Sequence, residues 1–395
     1  MVIVIHSLIS ALRKEVLPAL LLDEKAFEEN CQKIAEKANG KQIRIATKSI
    51  RSVELLKKIE HSHPAYCGFM CYSAREALFL AEKGLKNLLI GYPSFDEEAL
   101  LSIASKYNGD AGIVCMVDCV EHVHYLKSIA KEVQGMLSIC IDVDMSTRFG
   151  SFHFGVRRSP LHTAEQVLAV AKEIDKFDHL RFAGIMGYEA QIAGVADFVP
   201  KQFWKNKLIS YMKKKSINEI IRRRREVVET LIQAGFDSPI VNGGGTGSVS
   251  STCQEELVTE VTVGSGIFSP LLFDNYKDFQ YKPSLYFALQ IVRNPTKNIY
   301  TCLGGGYVAS GSIGKEKEPR PIYPQNGKLL ALEGAGEVQT PVYYKNSELQ
   351  IGDIILFRAA KAGELCERFN NIAVIRNGEI VKKLLTYRGE GVSFL

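Results

Sequence analysis

The sequence predicts an α/β protein built as a TIM-type (β/α)8 barrel followed by a C-terminal antiparallel β-domain. Two observations carry this. From Ile43 to roughly residue 275, short apolar runs alternate with stretches of helical period, as in a chain of β-α units. Beyond roughly residue 280 the segments alternate as strands do and are split by Gly, Asn and Pro turns. The barrel is expected over residues 24–278, and the β-domain over 1–23 plus 279–395.

The elements follow in order. PALLLD (18–23) is expected to join the β-domain as a strand, with a helix from Glu24 to Asn39 leading into the barrel. Eight runs then supply the barrel: 43–49, 65–73, 87–93, 112–118, 137–144, 181–189, 239–248 and 259–268. Several are apolar on both faces, as parallel strands covered by helices should be. Between them lie helical patterns such as SVELLKKIEH, SAREALFLAEKG, DEEALLSIASKY and AEQVLAVAKEID. Gly84 ends one of these where a C-cap is expected. The β-domain segments are SLYFALQIVRN, IYTCLGGGYVAS, KLLALEGAGEVQTPVYY, DIILFRAA and NIAVIRNGEIVKKLLTY, with Asn-Gly turns at 326–327 and 377–378.

A length of 395 residues, 46% hydrophobic and 24% charged, suits a soluble chain with a large core. A net charge of +5 does not imply nucleic acid. The nine cysteines are scattered, odd in number and without a CxxC pair, which reads as reduced thiols in a cytoplasmic protein. The N-terminus lacks a signal-peptide pattern and reads as mature sequence. No apolar run reaches the length of a membrane span. The basic run Lys205 to Arg225 reads as a solvated face of a long helix or a subunit contact.

The chemistry-bearing residues lie at strand ends. Lys48 closes the first barrel run. Gly243, Gly244, Gly245 and Thr246 follow the seventh, and Gly264, Ser265 and Gly266 follow the eighth. In a TIM barrel, active residues come from the C-terminal strand ends, and loops after strands seven and eight often hold phosphate. An amine for an aldehyde, with backbone N–H groups for a phosphate, fits pyridoxal 5'-phosphate (PLP) as cofactor. Burial in the barrel mouth is expected to desolvate the Lys48 ammonium. Arg51 reads either as an anion ligand or as a helix-start arginine facing solvent. Tyr188 and Glu189 end the sixth run and Gln191 follows it, and Tyr188 reads as a ring-stacking group or a rim tyrosine.

These residues resemble the PLP enzymes with an alanine-racemase-like barrel, among them alanine racemase, D-threonine aldolase and D-serine dehydratase. The resemblance covers nearly the whole chain. It rests on Leu22-Asp23 with Asn30, the Lys48 strand, Asp142-Val-Asp144 leading to Arg148, both glycine loops and Asp353-Ile-Ile. It is closer to the aldolase/deaminase branch. It implies a Schiff base on Lys48, and cofactor contacts from Arg148, Tyr188 and the two loops. His153, in His-Phe-Gly-Val, also resembles the family's Arg-x-Gly-Val and stands either as a proton-transfer group or as a structural histidine.

The resemblance further implies a homodimer acting on a small-molecule amino acid, with no nucleic acid and no membrane. The reaction is aldol cleavage, deamination or racemisation of a D- or β-hydroxy amino acid. The alternatives are a racemase proper or a non-catalytic PLP-binding protein. The branch's divalent metal is held by a β-domain histidine, and every histidine here lies at or before 179. Glu364 and Cys366 occupy the matching place. No metal is therefore expected.

Overall fold

A computed structural model describes residues 2–107, 112–312 and 314–395. The eight expected runs form one closed barrel of parallel strands. Its strands are Gln42–Ala46, Tyr66–Cys71, Leu88–Ile90, Ile113–Val117, Leu137–Asp142, Leu180–Gly187, Ile240–Gly243 and Glu260–Val263. The last closes on the first, with Val263 opposite Ile45.

Strand alternation sorts the side chains. Ile43 and Ile45 point outward into the main core, which the surrounding helices complete. Leu89, Val114, Met116, Cys140, Ala183 and Met186 form a separate cluster inside the barrel. Arg44 also points inward and is fully buried, where Nε and Nη2 donate to the Glu260 carboxylate at 2.7 Å each. A buried charge needs such pairing. Both faces of the barrel strands are thus covered, which is why the runs read as continuously apolar.

Gly84 ends the helix Ala74–Glu82 as expected. It takes φ +84, with its N–H on Ala81 O and the Leu85 N–H on Leu80 O, the two bonds of a Schellman cap.

The β-domain is a nine-stranded sheet. Ala19–Asp23 joins it, antiparallel to Leu285–Thr296 and parallel to Asn371–Arg376. The expected antiparallel pattern therefore has one parallel pair, made where this strand fills the gap between two others. Asn377-Gly378 forms the expected two-residue hairpin, with φ +53 and +84 between paired Arg376 and Glu379. Asn326-Gly327 does not. Its flanking strands Arg320–Tyr323 and Lys328–Leu329 pair with Ile354–Arg358 and Gln339–Tyr343 instead of with each other. All nine cysteines are free thiols, and burial pushes those of Cys31, Cys115 and Cys302 up to about 12.

Candidate active site

The first barrel strand ends in one tight turn, Thr47–Ser49, which presents Lys48 to solvent between two buried neighbours. Three contacts fix this turn. The Thr47 hydroxyl lies 2.9 Å from both Met70 O and the Glu76 carboxylate. The Ser49 and Ser265 hydroxyls meet at 3.0 Å. Arg51, at φ +53, donates from Nε to Lys48 O at 3.0 Å. Arg51 is itself held by Glu367 at 2.6 Å and lies over the Tyr72 ring. It neither faces solvent nor waits for an anion; it clamps the Lys48 backbone. The expected burial of the Lys48 ammonium is not supplied by this chain, because the side chain projects from a turn at the open mouth.

The Lys48 ammonium donates to Tyr92 Oη at 2.8 Å. Burial pushes the Tyr92 phenol up, but the positive charges of Lys48 and Arg158 outweigh it and leave the phenol below its ordinary value. The Arg158 guanidinium lies over the rings of both Tyr92 and Tyr188, 5.5 and 5.4 Å from their centroids. Ser159, the next residue, donates to Asp142 O at 2.7 Å and so ties this segment to the fifth strand. The Asp142 carboxyl is buried at the same tip. Burial, with the Asp118 charge added, pushes it up to about 7 against the opposing pull of Arg158.

The glycine loops close the opposite side. The Gly266 N–H donates to the Thr246 hydroxyl at 3.1 Å, joining the loops after strands seven and eight. A Cβ on Gly264 would stand 2.7 Å from Ser49 Oγ, one on Gly266 2.3 Å from Thr246 Cγ2, and one on Gly245 2.7 Å from Ala193 Cβ. Gly244 takes φ +90. Only glycine fits these positions, and the result is a cradle of close backbone edged by the hydroxyls of Ser49, Thr246 and Ser265. Such a concavity suits a phosphate. Tyr188 lines it: its ring carbon Cε2 would be 3.2 Å from a Cβ on Gly245. Gly243 sits deeper, at the end of its strand and against Arg224.

The structure thus gathers Lys48, Tyr188 and both loops. It does not bring Arg148 or His153 to them. These two face each other across a small hairpin, Thr147–Phe149 and Phe152–Phe154. Arg148 is exposed, and His153 contacts Val156 O at 3.3 Å. Glu189 and Gln191 serve as supports. Glu189 accepts from Arg224 and Ser248, and Gln191 donates to Met145 O.

The basic run forms the helix Phe203–Gln233, yet three of its charges are internal. Arg224 is 1% exposed between Glu189 and Glu255. Arg223 donates to Asp144 O and Ser146 O, and Lys213 pairs with Asp197 at 3.0 Å. A uniformly solvated face is therefore the wrong description. Half of this helix packs on the barrel, and its cations brace the loops after strands five to seven.

Glu364 and Cys366 diverge. The Glu364 carboxylate accepts from the Ser310 N–H at 2.7 Å and from the Ser310 hydroxyl. Cys366 is fully buried, and burial pushes its thiol up to about 12. A different trio, Asp118, Cys119 and His122, brings its ligand atoms within 4.8 Å of one another.

Sequence reasoning missed Tyr92 and Arg158. Tyr92 lies just past the third barrel strand, Leu88–Ile90, so the criterion that found Tyr188, a polar ring at a strand tip, would have found it. Nothing local distinguishes Arg158 from Arg157 or Arg148, because its place depends on how the hairpin folds back.

Comparisons with known proteins agree with the fold. Residues 22–270 match the family described as alanine racemase, N-terminal domain. A 3-hydroxy-D-aspartate aldolase of Paracoccus denitrificans is 25% identical over 267 residues, which cover 67% of this chain and 63% of that protein. A second aldolase of the same name and species is 27% identical over 178 residues, covering 45% and 43%. The match thus spans less than two thirds of these curated relatives. Among solved structures, D-threonine aldolase from Filomicrobium marinum superposes with a TM-score of 0.82 at 16% identity, over 97% of both chains. D-threo-3-hydroxyaspartate dehydratase from Delftia sp. HT23 gives 0.73 at 16% identity, over 95% of this chain and 98% of the other. Likeness at such identity speaks for the fold.

Proposed function

We propose, from the premise that this chain belongs to the alanine racemase N-terminal domain family, that it is a PLP enzyme acting on a D- or β-hydroxy amino acid with Lys48 as its Schiff-base lysine. The observation that carries this reading is the meeting of the Lys48 turn with both glycine loops, through Ser49 with Ser265 and Gly266 with Thr246. The cradle a Cβ would fill, edged by hydroxyls, fits the cofactor's phosphate, and the Lys48 amine at its mouth fits the aldehyde.

When bound, PLP makes the bonds to an amino acid's α-carbon labile by drawing charge into its ring. The protein's part is positioning and proton control. Arg51 and Thr47 fix the Lys48 backbone. Tyr92 Oη, 2.8 Å from Lys48 Nζ, holds a proton next to the amine and can pass it there. Arg158 and Tyr188 confine the ring side of the mouth. Aldol cleavage would break the Cα–Cβ bond, whereas racemisation and deamination would both begin at Cα–H, deamination with loss of the β-hydroxyl as water. The relatives' names favour cleavage or deamination of a β-hydroxy amino acid.

In this reading residues 24–278 are the cofactor barrel, and 1–23 with 279–395 the β-domain. A non-catalytic PLP-binding role is less well supported, because the β-domain loop around Gly363 lies directly on Lys48. The open mouth beside Lys48 supports a second copy of the chain as its cover. The nine free thiols support a reducing, cytoplasmic setting. Among the described residues no helix is long and apolar enough to cross a membrane.

Borohydride reduction followed by peptide mapping tests the reading. It is expected to leave a pyridoxyl label on Lys48, and a label on any other lysine refutes the assignment. Light scattering at assay concentration tests the dimer; a fully active monomer refutes it.

A further inference from the structure

The β-domain wall of the Lys48 mouth carries two further lysines. The loop after strand Ile354–Arg358 is pressed onto the Lys48 turn: a Cβ on Gly363, at φ +83, would stand 2.1 Å from Lys48 O. Lys361 lies two residues earlier. Its Nζ donates to Ser310 O at 2.8 Å, which directs it toward Gly311. Lys317 reaches the same place from the neighbouring loop. A Cβ built on Gly311 would be 3.7 Å from Lys317 Nζ and 3.8 Å from Lys361 Nζ, so the two ammonium groups flank one small volume.

Their counter-charge is incomplete. Lys361 has Glu364 at 3.9 Å, but that carboxylate already accepts from the Ser310 N–H and hydroxyl. Among the described residues neither Lys317 nor Lys48 has a carboxylate in ion-pair range. Burial pulls the Lys361 ammonium below its ordinary value, and the charges of Lys317 and Lys48 pull it further, against Glu364. Three like charges around one committed carboxylate favour entry of an anion. Arg158 offers a separate cation on the barrel wall, across Lys48. Two cationic walls suit a molecule with two anionic ends.

We propose that Lys361 and Lys317 form an anion subsite for a carboxylate on the substrate's side chain, so that the amino acids accepted are those with an acidic side chain. This rests on reading the Lys48 mouth as the amino-acid site. The subsite holds the side-chain carboxylate while the α-carbon faces Lys48. An amino acid with a neutral side chain leaves the lysine pair unsatisfied and is bound less well.

Calorimetric titration of the holoenzyme with succinate, and separately with butyrate, tests this without turnover. Succinate is expected to bind, and Lys361→Met and Lys317→Met are each expected to weaken it at least tenfold while leaving butyrate unchanged. Lys361→Arg is expected to restore most of the succinate affinity. Succinate bound equally by wild type and both variants overturns the proposal. Equal losses for succinate and butyrate also overturn it, because the pair would then hold a carboxylate common to all amino acids. Lys48→Ala is expected to keep Lys361-dependent succinate binding. If the wild type shows that binding but turns over no amino acid and forms no pyridoxyl label, the PLP reading fails and the subsite stands.

Discussion

The Tyr387 phenol donates to the Glu76 carboxylate at 2.9 Å, across 311 positions of chain. Both residues are fully buried. Glu76 also accepts from the Tyr72 N–H at 2.7 Å and lies 2.9 Å from the hydroxyl of Thr47, the neighbour of Lys48. One carboxyl thus joins the end of the β-domain to the turn that carries the amine.

This contact predicts a pH dependence of stability. Burial raises the Glu76 carboxyl from 4.5 to about 7, against three hydrogen bonds and Arg51. The folded state therefore binds a proton more tightly than the unfolded one. The stabilisation is complete below pH 4.5 and is lost as pH rises to about 7. Its full size is on the order of 3 kcal/mol. Glu76→Gln is uncharged at any pH and keeps acceptor and donor atoms for Tyr72 and Tyr387. Urea melts at pH 5 and pH 8 should show the variant gaining on wild type at the higher pH. An identical pH slope in the two proteins would refute the assignment.

Arg158 and Arg148 make opposed predictions. Arg158 spans Tyr92 and Tyr188, whereas Arg148 sits on an exposed hairpin. Arg158→Met should weaken PLP retention about tenfold by freeing the two tyrosine rings it holds at the mouth, on the scale of one or two lost cation–π contacts. Arg148→Met should change it less than twofold. Dialysis followed by absorbance of the retained cofactor measures both, and the reverse order would return the role to Arg148.

The glycine cradle should not tolerate a methyl group. A Cβ on Gly266 meets the stiff Thr246 side chain at 2.3 Å, so Gly266→Ala should cost about 1–3 kcal/mol and most of the cofactor affinity. Adding Thr246→Ser removes the clashing Cγ2 while keeping the hydroxyl. The double variant should regain thermal stability. If it melts no higher than Gly266→Ala alone, the clash is not the cause.

Two arginines of the long helix, two positions apart, should differ sharply. Arg224 is 1% exposed between Glu189 and Glu255, and Arg222 is 73% exposed. Arg224→Met strands two buried carboxylates and should cost about 3–5 kcal/mol. It should also loosen the first glycine loop, since Glu189 holds Ser248 and Thr252. Arg222→Met should cost less than about 0.5 kcal/mol. Urea midpoints for the two variants decide it; equal midpoints would mean that the helix is not braced in this way.

The barrel was legible because its signal is local. Eight apolar runs, a helical period between them and a Gly84 cap each depend on a few consecutive residues. Lys48 and the glycine loops were legible for a related reason. They stand directly after strand-like runs, and strand ends of a closed barrel share one face. The failures were of another kind. The run Arg222-Arg-Arg-Arg225 looks uniform, yet a step of two positions, a rotation of roughly 200°, places Arg224 inward and Arg222 outward. Arg51 read either as an anion ligand or as a helix-start arginine facing solvent, and a left-handed backbone turned it onto Lys48 O instead.

The sequence by itself determined the order of strands, the barrel, the added β-domain and the strand tips that carry the amine and the phosphate cradle. The tertiary structure alone decided which polar groups meet at that mouth. Tyr92 meets Lys48 from another strand tip, Arg158 meets Tyr92, Lys361 of the other domain lies within range of the Lys48 charge, and Glu76 finds Tyr387 at the far end of the chain. Such pairings depend on barrel closure and on one loop lying against another. Neither leaves a periodic trace in neighbouring residues, because the partners of a buried charge are chosen by proximity in space.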